Sequence, residues 1–96
     1  MNTTEVLTLL GQYKQRFARE YGIVALGVFG SLAHNTASEE SDVDVVVSLV
    51  KPDLFAMAGI KYELEEQLHR PVDLVIYRKT MNPFLKRKID QEAIYV

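Results

Sequence analysis

Two strand-length runs, Ile23 to Phe29 and Asp42 to Leu49, stand about a dozen residues apart, and that spacing most constrains the fold. The first run is continuously apolar and bounded by Gly22 and Gly30; the second carries three consecutive valines, Val45 to Val47. Both read as buried strands. A connection this short permits an antiparallel pair. After the second run, Pro52-Asp53 opens a helical pattern, with Asp53 as cap and Leu54, Met57, Ile60 (or the stem of Lys61), Leu64 and Leu68 as its buried stripe. His69 and Arg70 suit the negative end of that helix, and Pro71 stops it. Gly59 in its interior costs about 1 kcal/mol relative to alanine, which marks a weak or closely packed place. Val72 to Tyr77 is then a third strand, and a full helix between two strands is the signature of a parallel crossover.

The flanks complete the order. Residues 4 to 21 repeat apolar side chains at helical spacing (Val6, Leu10, Tyr13, Phe17, Tyr21), with Thr3 or Thr4 as cap and Gly22 as stop. Leu32 to Ala37 suits a short helix, and Ser38 to Ser41 a turn. Asn82 to Glu92 reads as a last helix with Pro83 in its first turn, followed by an apolar tail from Ala93 to Val96. The expected fold is therefore α/β (α+β), a small mixed sheet in the order α-β-α-β-α-β-α. Ninety-six residues make one domain, 1–96, and the small core favours help from a partner. Without cysteine there is no disulfide framework and no thiolate metal site. No signal peptide and no apolar run of about 20 residues is visible, so a cytoplasmic address without membrane contact is expected. A net charge of −2 argues against a general nucleic-acid surface, although Arg78, Lys79, Lys86, Arg87 and Lys88 form a local basic segment.

In this topology the end of the first strand and the starts of the second and third meet at one edge of the sheet. Those places carry Gly30-Ser31, Asp42 with Asp44, and Asp73. Two residues apart in a strand, Asp42 and Asp44 project from one face while Val43 and Val45 anchor the other. At about 6 Å and an effective dielectric of ~20, such a pair repels by roughly 3 kcal/mol. Asp73 adds a third charge. A divalent cation relieves the arrangement, and hard oxygen donors without histidine or cysteine select Mg²⁺ or Mn²⁺ over zinc. Mg²⁺ takes one or two carboxylates together with substrate phosphate oxygens. Gly30 lets the backbone approach a ligand, and the helix start and hydroxyl at Ser31 offer donors to phosphate. Asp73 then acts on the acceptor, as second-metal ligand, as base, or as both. His69 reads as a helix-terminal residue; Tyr62, Tyr77 and Tyr95 as packing or surface groups; Glu39 and Glu40 as loop residues near the acidic site.

Gly30-Ser31, ten intervening residues and Asp42-Val43-Asp44 before an apolar strand resemble the signature of the DNA polymerase β nucleotidyltransferases. Specifically, the chain resembles the minimal nucleotidyltransferases of the MNT antitoxin type. Gly30-Ser31-Leu32-Ala33-His34, Ser41-Asp42-Val43-Asp44, Arg70-Pro71-Val72-Asp73-Leu74-Val75 and the ending Glu92-Ala93-Ile94-Tyr95-Val96 carry the likeness, which spans about residues 20 to 96. The resemblance implies a polymerase β-like fold, ATP as substrate, Mg²⁺ at Asp42, Asp44 and Asp73, and phosphate contacts from Gly30, Ser31 and His34. Position 34 is usually arginine in that family. Histidine there offers a weaker grip on phosphate, or none if it merely faces solvent.

Polymerase β-like enzymes pass a nucleoside monophosphate to a hydroxyl and release pyrophosphate. A chain this short leaves no room for an acceptor-holding domain, and the resemblance implies an acceptor in trans: AMP passed to a tyrosine of a cognate HEPN ribonuclease toxin, in a hetero-oligomer. The alternative is a non-catalytic antitoxin that neutralises a HEPN partner by covering it. A third reading, transfer to a small molecule or RNA end, needs an accessory domain and finds nothing here that reads bases.

Overall fold

The computed structural model describes residues 2–34 and 42–96, and the element order among them is α1 (Thr3–Tyr21), β1 (Ile23–Phe29), β2 (Val43–Leu49), α2 (Leu54–Leu68), β3 (Val72–Ile76), α3 (Pro83–Glu92) and β4 (Ile94–Tyr95). The sheet runs β3-β2-β1-β4. β1 pairs antiparallel with β2, which the short connection permits, and β2 pairs parallel with β3 across a full helix. Alternation along the strands divides the core in two. Val28, Val43, Val45, Val47 and Val72 face α1 and α2, where Val6, Leu10, Ile60, Leu64 and Leu68 complete the larger cluster. Phe29 and Val46 face the other way and bury Ile89 of α3.

Several local expectations change. The cap of α1 is Asn2, whose side-chain oxygen accepts from Glu5 N at 2.9 Å while Asn2 N donates to Glu5 Oε1 at 3.2 Å. Asparagine followed three residues later by glutamate satisfies two helix-end donors at once, which outcompetes Thr3 and Thr4. In α2, Asp53 caps as expected, but the buried stripe is Ala56, Ile60, Leu64 and Leu68. Leu54 lies about 200° around the helix from Ala56 and is 82% exposed. The helix expected from Leu32 is a turn as far as His34, closed by His34 N donating to Gly30 O at 3.2 Å. Its remainder to Ala37, and the turn Ser38 to Ser41 with Glu39 and Glu40, lie outside the described residues. His69 ends α2 in the left-handed region at φ 54°.

Close packing explains Gly59: a β-carbon there would stand 3.0 Å from the Tyr21 hydroxyl. That hydroxyl and the one of Tyr13 both donate to Glu63 Oε1 at 2.8 Å, tying α1 to α2. Burial and then the bond to Glu63 push the Tyr13 phenol far up; the bond to Glu63 and then burial push Tyr21 up to about 12.

The apolar tail adds a strand. Gly27 pairs with Tyr95 and Val28 with Ile94, and Val96 N donates to Leu26 O at 2.9 Å. A β-carbon on Gly27 would meet Ile94 O at 2.5 Å and Tyr95 Cα at 3.0 Å, both backbone atoms. Gly27→Ala is therefore expected to destabilise the chain by about 1–3 kcal/mol. Hydrogen exchange should localise the damage, with the Val96 amide losing its protection while the α1–α2 core keeps its own.

Candidate active site

The rim where β1 ends and β2 and β3 begin gathers the predicted residues. β-register sets Phe29 opposite Asp44, and Asp44 beside Asp73 on the next strand. Parallel neighbours in register lie about 4.8 Å apart and point to the same face, so the two carboxylates are adjacent. The register is held from outside the ladder: Val43 N donates to Pro71 O at 2.9 Å, and Val72 N donates to Glu65 Oε2 of α2 at 2.8 Å. Asp42 immediately precedes β2 and is exposed, as is Asp73, whereas Asp44 is half-buried.

Gly30 follows β1 directly, in the left-handed region at φ 73°. A β-carbon there would lie 2.3 Å from Asp44 Oδ2, so only glycine lets the turn pass so close to that carboxylate. The turn is fastened to the body of the protein. Leu32 is buried in the larger core, and its carbonyl accepts from the Thr3 hydroxyl at 2.7 Å. Ser31 lies between these two fixed points. His34, exposed, meets Glu92 of α3 through Nε2 and Oε1.

Electrostatics marks Asp44 as the centre. Burial pushes its carboxyl above the ordinary range and Asp73 pushes it further; Lys88 of α3 pulls it back, and Asp42 adds a smaller push upward. Repelling oxygens with partial desolvation form a donor set suited to a hard divalent cation. Among the described residues no three His, Asp or Glu side chains form a group able to hold a metal ion, so Asp42, Asp44 and Asp73 do not close into the three-ligand set that the sequence suggested.

The structure sets Asp44 beside Asp73 and against the Gly30 turn, with Asp42 one residue before β2; Ser31 and His34 follow Gly30 along that turn. Lys88 and Glu92 were missed, because they appeared only as members of a basic segment and a terminal motif. Their separation of four residues, flanking the buried Ile89, was the available signal. Among the described residues no helix is long and apolar enough to cross a membrane.

Known proteins share this fold. A candidate protein adenylyltransferase of Methanocaldococcus jannaschii is 32% identical over 97% of this chain and 96% of its own length. The protein adenylyltransferase MntA of Thermococcus cleftensis is 30% identical over 96% and 93% respectively. Among solved structures, a candidate minimal nucleotidyltransferase superposes with TM-score 0.78 at 32% identity, covering 98% of this chain and 95% of its own. An MNT antitoxin complex with the tri-AMPylated HEPN toxin of Shewanella oneidensis shares the fold, with TM-score 0.65 at 18% identity over 93% of this chain and 70% of the other. Residues 10–96 match the nucleotidyltransferase domain model; the chain belongs to that family and is an enzyme of that type.

Proposed function

We propose that the chain is a Mg²⁺-dependent protein adenylyltransferase that passes AMP from ATP to a tyrosine hydroxyl of a cognate HEPN toxin, acting in the cytoplasm as its antitoxin. The observation that carries this reading is the register that sets Asp44 beside Asp73 under the Gly30 turn, with burial and then Asp73 pushing the Asp44 carboxyl up. Asp42 and Asp44 would hold the metal, with Asp73 beside them. A divalent cation held there would offset the charge of the carboxylates and of the phosphates. The Gly30–Ser31 backbone cradles the triphosphate. His34, engaged by Glu92, holds the far end of that turn in place. Asp73, exposed at the rim, accepts the proton of the incoming hydroxyl. The hydroxyl oxygen bonds to the α-phosphorus, the α–β phosphoanhydride breaks, and pyrophosphate departs.

The names of the relatives support this acceptor class, since one is a protein adenylyltransferase, another a candidate one, and one structural neighbour stands beside an AMPylated HEPN toxin. The test is incubation with the cognate HEPN protein, Mg²⁺ and α-labelled ATP. The expected result is label on the partner, an intact mass raised by whole AMP units, and the modified residue identified as tyrosine by peptide sequencing. A second reading, neutralisation by binding alone, draws on His34, whose Nε2 is occupied by Glu92. A co-purified, silenced partner of unchanged mass would favour that reading and sink the first.

A further inference from the structure

The sheet face that carries Asp44 and Asp73 is also the face that α3 covers. Asp44 shares its side of β2 with Val46, and Asp73 shares its side of β3 with Val75. Val46, Phe29 and Ile89 are buried together, and Val75 packs against them. Ile89 therefore pins α3 over the strands one step along from the carboxylates. Three residues later, Glu92 reaches His34 at the Gly30–His34 turn. Lys88 stands four residues before Glu92, one helical turn away on the same flank.

That flank presents two opposite charges to the site. Glu92 is spent on His34, so the basic side chain nearest the turn is already engaged. Lys86 is spent as well: it donates to Asp90 Oδ2 at 2.9 Å and lies over the Tyr77 ring. Lys88 is exposed, and among the described residues no carboxylate forms an ion pair with it. Its neighbour Ile89 is buried against Val46 of the strand that carries Asp44, so Lys88 stands beside the point where α3 meets that strand. A nucleoside triphosphate brings several more negative charges to a rim that already holds three carboxylates. A long, flexible ammonium at this position can reach phosphate oxygens without needing the planar geometry of a guanidinium.

We propose that Lys88 is a substrate-binding residue, its ammonium holding non-bridging oxygens of the β- and γ-phosphates while the carboxylates hold the metal. The inference rests on the nucleotidyl-transfer reading and names a residue that the family signature does not contain. It predicts a selective loss. In the full chain, without acceptor, Lys88→Ala should weaken Mg–ATP binding about tenfold, the scale of one charge-assisted hydrogen bond. Mg–AMP binding should change by less than about twofold, since AMP lacks the oxygens concerned. Lys88→Arg should recover most of the ATP affinity, the salt dependence of ATP binding should flatten in Lys88→Ala, and the melting temperature should hold. Lys86→Ala serves as the control with unchanged affinity for both nucleotides.

Calorimetric titration of the four proteins decides the matter. Equal ATP affinity in wild type and Lys88→Ala overturns the role of Lys88 while leaving nucleotidyl transfer intact. An equal fall for ATP and AMP also overturns it, since that is damage to the whole site. A wild-type chain that binds no Mg–ATP overturns the nucleotidyl-transfer reading, and Lys88 falls with it.

Discussion

Asp44→Asn should reduce AMP transfer by roughly a thousandfold or more, about 4 kcal/mol of transition-state stabilisation. The amide keeps the size of the carboxylate and so respects the close passage of Gly30, but it removes the anion at the point where burial and two neighbouring acids concentrate the demand for a cation. The same substitution should make the metal-free protein more stable. Asp44 titrates above its ordinary range when folded, so its contribution to stability is present while the group is protonated and is lost as pH rises through the folded pKa. At neutral pH the metal-free wild type therefore carries a partly buried charge, and its repulsion from Asp73, that the amide lacks. Thermal melts in a chelator should show the substituted chain above wild type at pH 7, with the gap closing as pH falls through the carboxylate range. Added Mg²⁺ with ATP should raise wild type and leave the variant nearly unmoved. A variant that still transfers AMP at a wild-type rate would remove Asp44 from the chemistry.

Gly30→Ala should cost about a hundredfold in transfer together with a visible loss of stability. A side chain at φ 73° costs about 1–2 kcal/mol in backbone strain, equivalent to a fall of about 5–10 °C in melting temperature for a domain of this size. The added methyl carbon must also displace Asp44 Oδ2, which stands 2.3 Å from where it would sit. Displacement of a catalytic group by about 1 Å is worth a factor of about a hundred in rate. Because both substitutions act through one carboxylate, their effects on transfer should not add: Gly30→Ala in the Asp44→Asn background should change the residual rate little. Additive losses would mean that the turn matters through phosphate contacts alone.

Most of the scaffold was legible because its signals are periodic. β1 matched its apolar run residue for residue, β2 fell one residue inside its expected span, and the connections allowed the antiparallel pairing and pointed to the parallel one. What escaped depended on phase or on distant partners. Leu54 was assigned to the buried stripe because apolar character alone does not fix the rotation of a helix; the strict four-residue spacing of Ala56, Ile60, Leu64 and Leu68 does. β4 is two residues long, too short for any alternation to register, and exists because Gly27 allows a second backbone to approach. At the site, the carboxylates and the Gly30 turn were readable from local pattern. Glu92 and Lys88 were not, since their relation to His34 and Asp44 is created only when Ile89 docks α3 on the sheet.

The pairing of Tyr95 with Gly27 also dictates a sequence of events on the ribosome. Strand β1 is synthesised early and finds β2 soon afterwards, yet its opposite border stays bare until residues 94 and 95 have emerged. During that interval the nascent chain displays open amide and carbonyl groups along a hydrophobic strand, the kind of border that recruits foreign strands. Synthesis at reduced temperature, or with a chaperone that shields such borders, should therefore raise the soluble yield more for this fold than for one whose outermost strands pair locally.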